Sequence, residues 1–203
     1  MSKLKYKVYN GKKIKGLIRE SDDILFLLLF ISGIIIGAYS SGKAETIKDI
    51  AIQYLNFRKS IGFSEQFLKS VLVNVIFIAV SFFLGFSLIG SPMIYCLLFV
   101  RGMGTGAICG FLYSEYGFSG IGYAALTFFP SIVISVYSLM MSCKISSAYS
   151  YNAFAKAIRG RGQYENAETK LFVFRQLICM IIAVFSSVID SLFAMLFSRF
   201  FAL

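Results

Sequence analysis

LKSVLVNVIFIAVSFFLGFSLI, residues 68–89, runs directly into GSPMIYCLLFVRGMGTGAICGFLY, residues 90–113. Each run is apolar over about the 20 helical residues that a hydrocarbon core requires, and a Gly-Ser-Pro break divides them. Neither run alternates with a period of two, so each predicts a membrane-spanning helix and not a barrel strand. Working outward, residues 24–42, 121–143 and 176–202 have the same character. With 68–89 and 92–113 they make five candidate spans.

The composition agrees, since 58% hydrophobic residues and a mean hydropathy of +0.76 exceed what a soluble domain can cover with polar surface. The expected fold is an all-α membrane protein, a bundle of about five transmembrane helices. The intervening polar segments are too short to bury a core of their own, which predicts one transmembrane domain over 24–203 behind a basic tail, 1–23. That tail carries Lys3, Lys5, Lys7, Lys12, Lys13, Lys15 and Arg19 and places the N-terminus in the cytoplasm. Five crossings put the segment with Lys144, Lys156, Arg159, Arg161, Lys170 and Arg175 on the same side. The first outer segment, 43–67, is the discordant piece, where Lys43, Lys48, Arg58 and Lys59 oppose Glu45, Asp49 and Glu65.

A formal charge of +10 could point to nucleic acid, but these bases flank spans, where anionic head groups attract them. Membrane lipids are the expected partner. Residues 24–42 are longer than a signal-peptide apolar region and read as a retained span. The four cysteines lie in or beside spans without metal-ligand spacing, and histidine is absent. No metal or cofactor is expected from such a chain.

Between the first two spans, Ile47, Ile50, Tyr54 and Leu55 recur at helical spacing, which predicts an amphipathic helix on the outer surface. It either seals the bundle against head groups or docks a partner. Gly85, Gly90 and Pro92 predict a tight hairpin between spans two and three, with a re-entrant element as the alternative. In span three, Gly102, Gly106 and Gly110 fall four apart and line one face, so another helix can approach backbone to backbone. That face serves packing within the bundle or, alternatively, a homo-oligomer seam.

Arg101 lies near the middle of its span, where a cation costs about 2.5–3.5 kcal/mol on insertion scales. The acidic residue available within a span is Asp190, beside Ser186, Ser187 and Ser191. The two are expected to face each other, directly or through water, as a structural ion pair; snorkelling to an interface is the other reading. Pro130 predicts a kink in span four. Gly160 and Gly162 break the inner loop, and no internal repeat supports an inverted-repeat transporter.

Taken together, Asn74, the turn GFSLIGSP over 85–92, LLFVRGMGTGAICGFL over 97–112, the outer turn YGFSG over 116–120 and Pro130 resemble the stage II sporulation protein M family of bacterial multi-pass membrane proteins. The resemblance implies a noncatalytic scaffold at the sporulation septum. In that role the chain would anchor partners resembling stage II sporulation proteins D and P, which remodel septal peptidoglycan during forespore engulfment. A small-solute or lipid permease with a polar path near Arg101 and Asp190 is the alternative. An intramembrane enzyme finds no nucleophile–base pair or carboxylate pair in the sequence.

Overall fold

The computed structural model describes residues 23–41, 53, 62–87, 90–158 and 166–198. The chain forms α1 (Asp23–Ser41), α2 (Phe63–Phe86), α3 (Gly90–Thr127), α4 (Phe129–Ile158) and α5 (Asn166–Ser198). All five contain a stretch long and apolar enough to cross a membrane, and no strand occurs among the described residues. The basic tail before Asp23 and the positions Ile47, Ile50, Tyr54 and Leu55 of the expected amphipathic helix lie outside the described residues.

Two helices begin earlier than hydropathy suggests. α2 starts at Phe63 with Glu65 in its first turn, where a carboxylate favourably meets the positive end of the helix dipole. α5 starts at Asn166, well before Gln176, and carries exposed Lys170 and Arg175. A long cationic side chain can lay its stem along apolar surface and keep its charge toward water, so neither residue ends the helix.

Three residues join α2 to α3. Ser87 N–H donates to the Leu84 carbonyl and Gly90 N–H to the Ser87 carbonyl, both at 3.1 Å. A side chain at position 90 would strike the Leu84 backbone, so glycine is required there. Pro92 is the third residue of α3, within the first turn, whose N–H groups have no intrahelical acceptor. The two helices run antiparallel from this turn, as the bond between Asn74 and Arg101, nearly equidistant from it, demonstrates.

Gly117, with φ 57° and ψ −135°, divides α3 into 90–116 and 118–127. This is left-handed backbone that a side chain rarely tolerates. The chain reverses there, and Tyr123, Ala124 and Phe128 pack against Phe111 and Leu112. Segment 118–127 leads into α4 through a break at Phe128. The helical ladder resumes on either side, from Phe128 N–H to Ala124 and from Ile132 N–H to Phe128, each at 2.9 Å. Pro130 lies inside that interval and has no N–H to contribute, which accounts for the interruption.

α2, α4 and α5 pack mutually as a three-helix core. α1 and α3 lie together beside it, joined to the core through Phe26, Ile94 and Leu98, which bury with Ile78, Leu139, Cys143 and Ala183. At the start of α1, Asp23 is bonded to Lys144 of α4 at 2.5 Å. Large apolar side chains such as Phe83 and Ile181 point outward, the arrangement expected where the solvent is lipid.

Candidate functional site

The interior of the three-helix core is polar. On α4, Ser131, Ser135, Ser138, Ser142, Ser146 and Ser150 recur every three or four residues and are all buried. This spacing places them on one face of the helix. α2 contributes Gln66, Asn74 and Ser81 from its buried face, with Ser70 on the same line; α5 contributes Gln176, Ser186, Ser187, Asp190 and Ser191. In lipid a hydroxyl or amide without a partner is costly, so the three stripes satisfy one another across the helix–helix contacts.

The column is built in layers. At the end shared with the α2–α3 turn, Ser150 donates to the Ser87 carbonyl at 2.7 Å. One layer farther in, Gln176 Nε2 donates to Ser142 at 2.8 Å and Ser146 at 3.0 Å. Ser142 donates to Ser81 and Ser81 to Ser146, at 3.1 and 3.2 Å. Ser138 then reaches the Cys179 carbonyl at 2.6 Å.

The fourth layer holds Arg101. Its guanidinium donates to Asn74 Oδ1 at 2.9 Å and Ser135 Oγ at 3.1 Å, and its charge lies 5.3 Å from the Phe77 ring centroid, within cation–π range. Asn74 in turn donates to Ser187 at 2.9 Å, so one amide from α2 links α3, α4 and α5. The fifth layer surrounds Asp190, which accepts from Ser70 at 2.5 Å, Ser131 at 3.1 Å and Gln66 at 3.4 Å. Ser186 closes this layer on the Ser131 carbonyl at 2.7 Å.

The structure therefore brings Arg101 and Asp190 into adjacent layers of one hydrogen-bonded column. The steps from Asn74 to Ser70, Ser135 to Ser131 and Ser187 to Asp190 each amount to about one turn, roughly 5.4 Å. Hydroxyls and amides hydrogen-bond both side chains. Among the described residues, two buried atoms, Gln176 Oε1 and Thr127 Oγ1, have no hydrogen-bond partner.

Gly102, Gly106 and Gly110 lie elsewhere, on the contact between α3 and α1. A side chain at Gly102 would strike the Phe30 carbonyl, one at Gly106 the Ile34 backbone, and one at Gly110 the Ser41 hydroxyl and Ala38 backbone. Gly33 and Gly37 of α1 complete the contact against Phe99 and Met103. Gly85 opposes Phe172 and Ser146 across the core.

The α4 serine stripe and the α1 glycine pair escaped the sequence reading. Both signals were present as three- and four-residue spacings, but serine barely alters hydropathy and was absorbed into an apolar span. Among the described residues, no three His, Cys, Asp or Glu side chains gather as metal ligands. The column offers positioned hydroxyls, one cation and one carboxylate, a set suited to holding helices in register.

Comparison with known families gives one finding that spans this whole architecture. The family model described as Stage II sporulation protein M matches residues 26–194, from the first turn of α1 to near the end of α5. No curated protein and no solved structure matches the chain.

Proposed function

The chain belongs to the Stage II sporulation protein M family, and from that membership we propose that it is a noncatalytic membrane scaffold. In this reading it anchors septal peptidoglycan-degrading partners, resembling stage II sporulation proteins D and P, during forespore engulfment. The family is not known as one of enzymes. The observation that supports the scaffold reading is the column itself. Its charged groups are held by buried hydroxyls and amides of neighbouring helices, an arrangement that fixes helix positions.

A scaffold must present partners at a set place and orientation. Three helices cross-linked through their interior, with a fourth and fifth locked together backbone to backbone, form such a base. The segment carrying Ile47, Ile50, Tyr54 and Leu55 is the proposed docking element, because these apolar residues recur at helical spacing in the sequence between α1 and α2.

The test is a clean deletion in the native host, scored by membrane-dye microscopy. Failure to thin the septum and engulf the forespore, restored by the wild-type gene but not by a Tyr54→Asp, Leu55→Asp variant that still reaches the membrane, is the expected result. Normal engulfment in the deletion strain would end the scaffold reading. The length of the polar column favours one rival, a small-solute or lipid permease. That reading requires substrate flux in proteoliposomes that Arg101→Leu abolishes.

A further inference from the structure

Outside the polar column the molecule contains a second feature of different chemistry. A half-enclosed groove of about 510 Å³ runs between α1 and α4, with segment 118–127 and α3 closing its upper part. Leu27 and Ile34 line one wall, Cys109 the back, and Val133, Tyr137 and Met140 the other. Its rim is exposed, with Val133 and Tyr137 more than half accessible.

The lining selects an occupant. On α4 it extends from Phe129 to Met140, roughly 17 Å of helix at 1.5 Å per residue. Apart from Thr105, Cys109 and Tyr137, the lining side chains are hydrocarbon or thioether, the surface that an extended alkyl chain contacts in lipid.

Charge selects the head group. The α4 stripe continues from Met140 to Lys144, and the α1 stripe continues back from Leu27 to Asp23, each by one helical turn. Lys144 and Asp23 are bonded to each other, so the two walls converge on an ion pair at the groove's end. Lys144 is the more enclosed partner, its side chain 17% accessible against 50% for Asp23. In the sequence that leads to Asp23 the seven bases of residues 1–19 outnumber Glu20 and Asp22, and Lys144 is the cation at this end of the helix pair. Anionic head groups gather at such ends.

We propose that the groove binds one acyl chain of an anionic phospholipid, with the lipid phosphate against Lys144. Asp23 competes with the phosphate for that ammonium and so tunes the preference. The chain contains no tryptophan, so a single introduced one reports lipid contact without background.

The experiment places Tyr137→Trp, on the groove rim, and Phe83→Trp, on the open face of α2, in phosphatidylcholine vesicles. Quenching by dibrominated phosphatidylglycerol is compared with quenching by dibrominated phosphatidylcholine. The expected preference for the anionic lipid is about fivefold at position 137, the effect of one lysine near a head group, and none at position 83. Lys144→Gln should abolish the preference while quenching persists; Asp23→Asn should raise it. A purely structural ion pair would make both substitutions act alike. Equal selectivity at the two reporters, or a tryptophan at 137 shielded from both lipids, would overturn the proposal. Val133→Trp serves as the reporter should Tyr137→Trp fail to fold.

Discussion

α1 and α3 meet at glycines, with carbonyl groups of each helix filling the space that side chains would need. α2, α4 and α5 meet at serines, whose hydroxyls bond across the contact. Both solutions answer the same problem. In lipid, burying apolar surface between helices gives no gain over facing acyl chains, so association depends on close packing or on polar groups that find partners. The glycine contact relies on shape and tolerates no added atom. The serine contact spreads its stabilisation over many bonds and should tolerate the loss of any one, except where a full charge is involved.

The largest effect should come from breaking that exception. Arg101→Asp puts a second carboxylate into the column and should destabilise the protein by about 3–5 kcal/mol, the cost of an uncompensated buried charge. It is read as lost folded protein by detergent size exclusion and thermal melting. Adding Asp190→Arg should recover part of the loss. A double variant as poor as the worse single would show that the two positions are not coupled.

The next effect sharpens the difference between the regions. Gly106→Ala places a methyl on the Ile34 backbone and should cost about 1–3 kcal/mol. Gly104→Ala, two residues away, meets nothing within 4 Å and should be neutral or slightly stabilising through better helix propensity. Equal melting temperatures for these two variants would remove the close-packing account of α1 and α3.

Smaller losses are expected within the serine column. Ser142→Ala removes a bond to Ser81 and an acceptor of Gln176, and interhelical hydrogen bonds in membranes average about 0.6 kcal/mol each. A Tm shift as large as that of Gly106→Ala would mean that the column acts as one cooperative unit and not as a sum of bonds. Smallest of all should be Lys144→Gln, a few tenths of a kcal/mol, because a partly exposed ion pair is well screened. Chemical denaturation in mixed micelles measures it, and a loss above about 1 kcal/mol would exceed what such pairs normally contribute.

Much of this comparison was legible in the chain, though unevenly. The glycines of α3 announced a close contact by their spacing, but they are equally compatible with any small-faced neighbour. Only the fold supplied Gly33 and Gly37 as the opposing surface. Arg101 and Asp190 were conspicuous as charges in apolar runs. Their immediate partners, Asn74, Ser135, Ser70 and Ser131, were not, because an uncharged polar residue in a span does not declare which charge it solvates. The helix starts at Phe63 and Asn166 were obscured for a related reason, since hydropathy penalises Glu65, Lys170 and Arg175 without regard to where a long side chain can reach.

By itself the sequence determined that the chain crosses the membrane as helices, where most of them run, that a turn falls within 85–92, and that two charges must be solvated inside. Those properties follow from hydrocarbon thickness, backbone hydrogen bonding and the cost of desolvation, which act locally along the chain. Tertiary structure alone decided that α1 fills the glycine face of α3, that six serines of α4 join with α2 and α5 in one column, and that α1 and α4 diverge above Lys144 and Asp23 to leave a groove. Those outcomes depend on which faces meet, and helices of similar hydropathy differ in that respect only through shape and hydrogen-bond pairing in three dimensions.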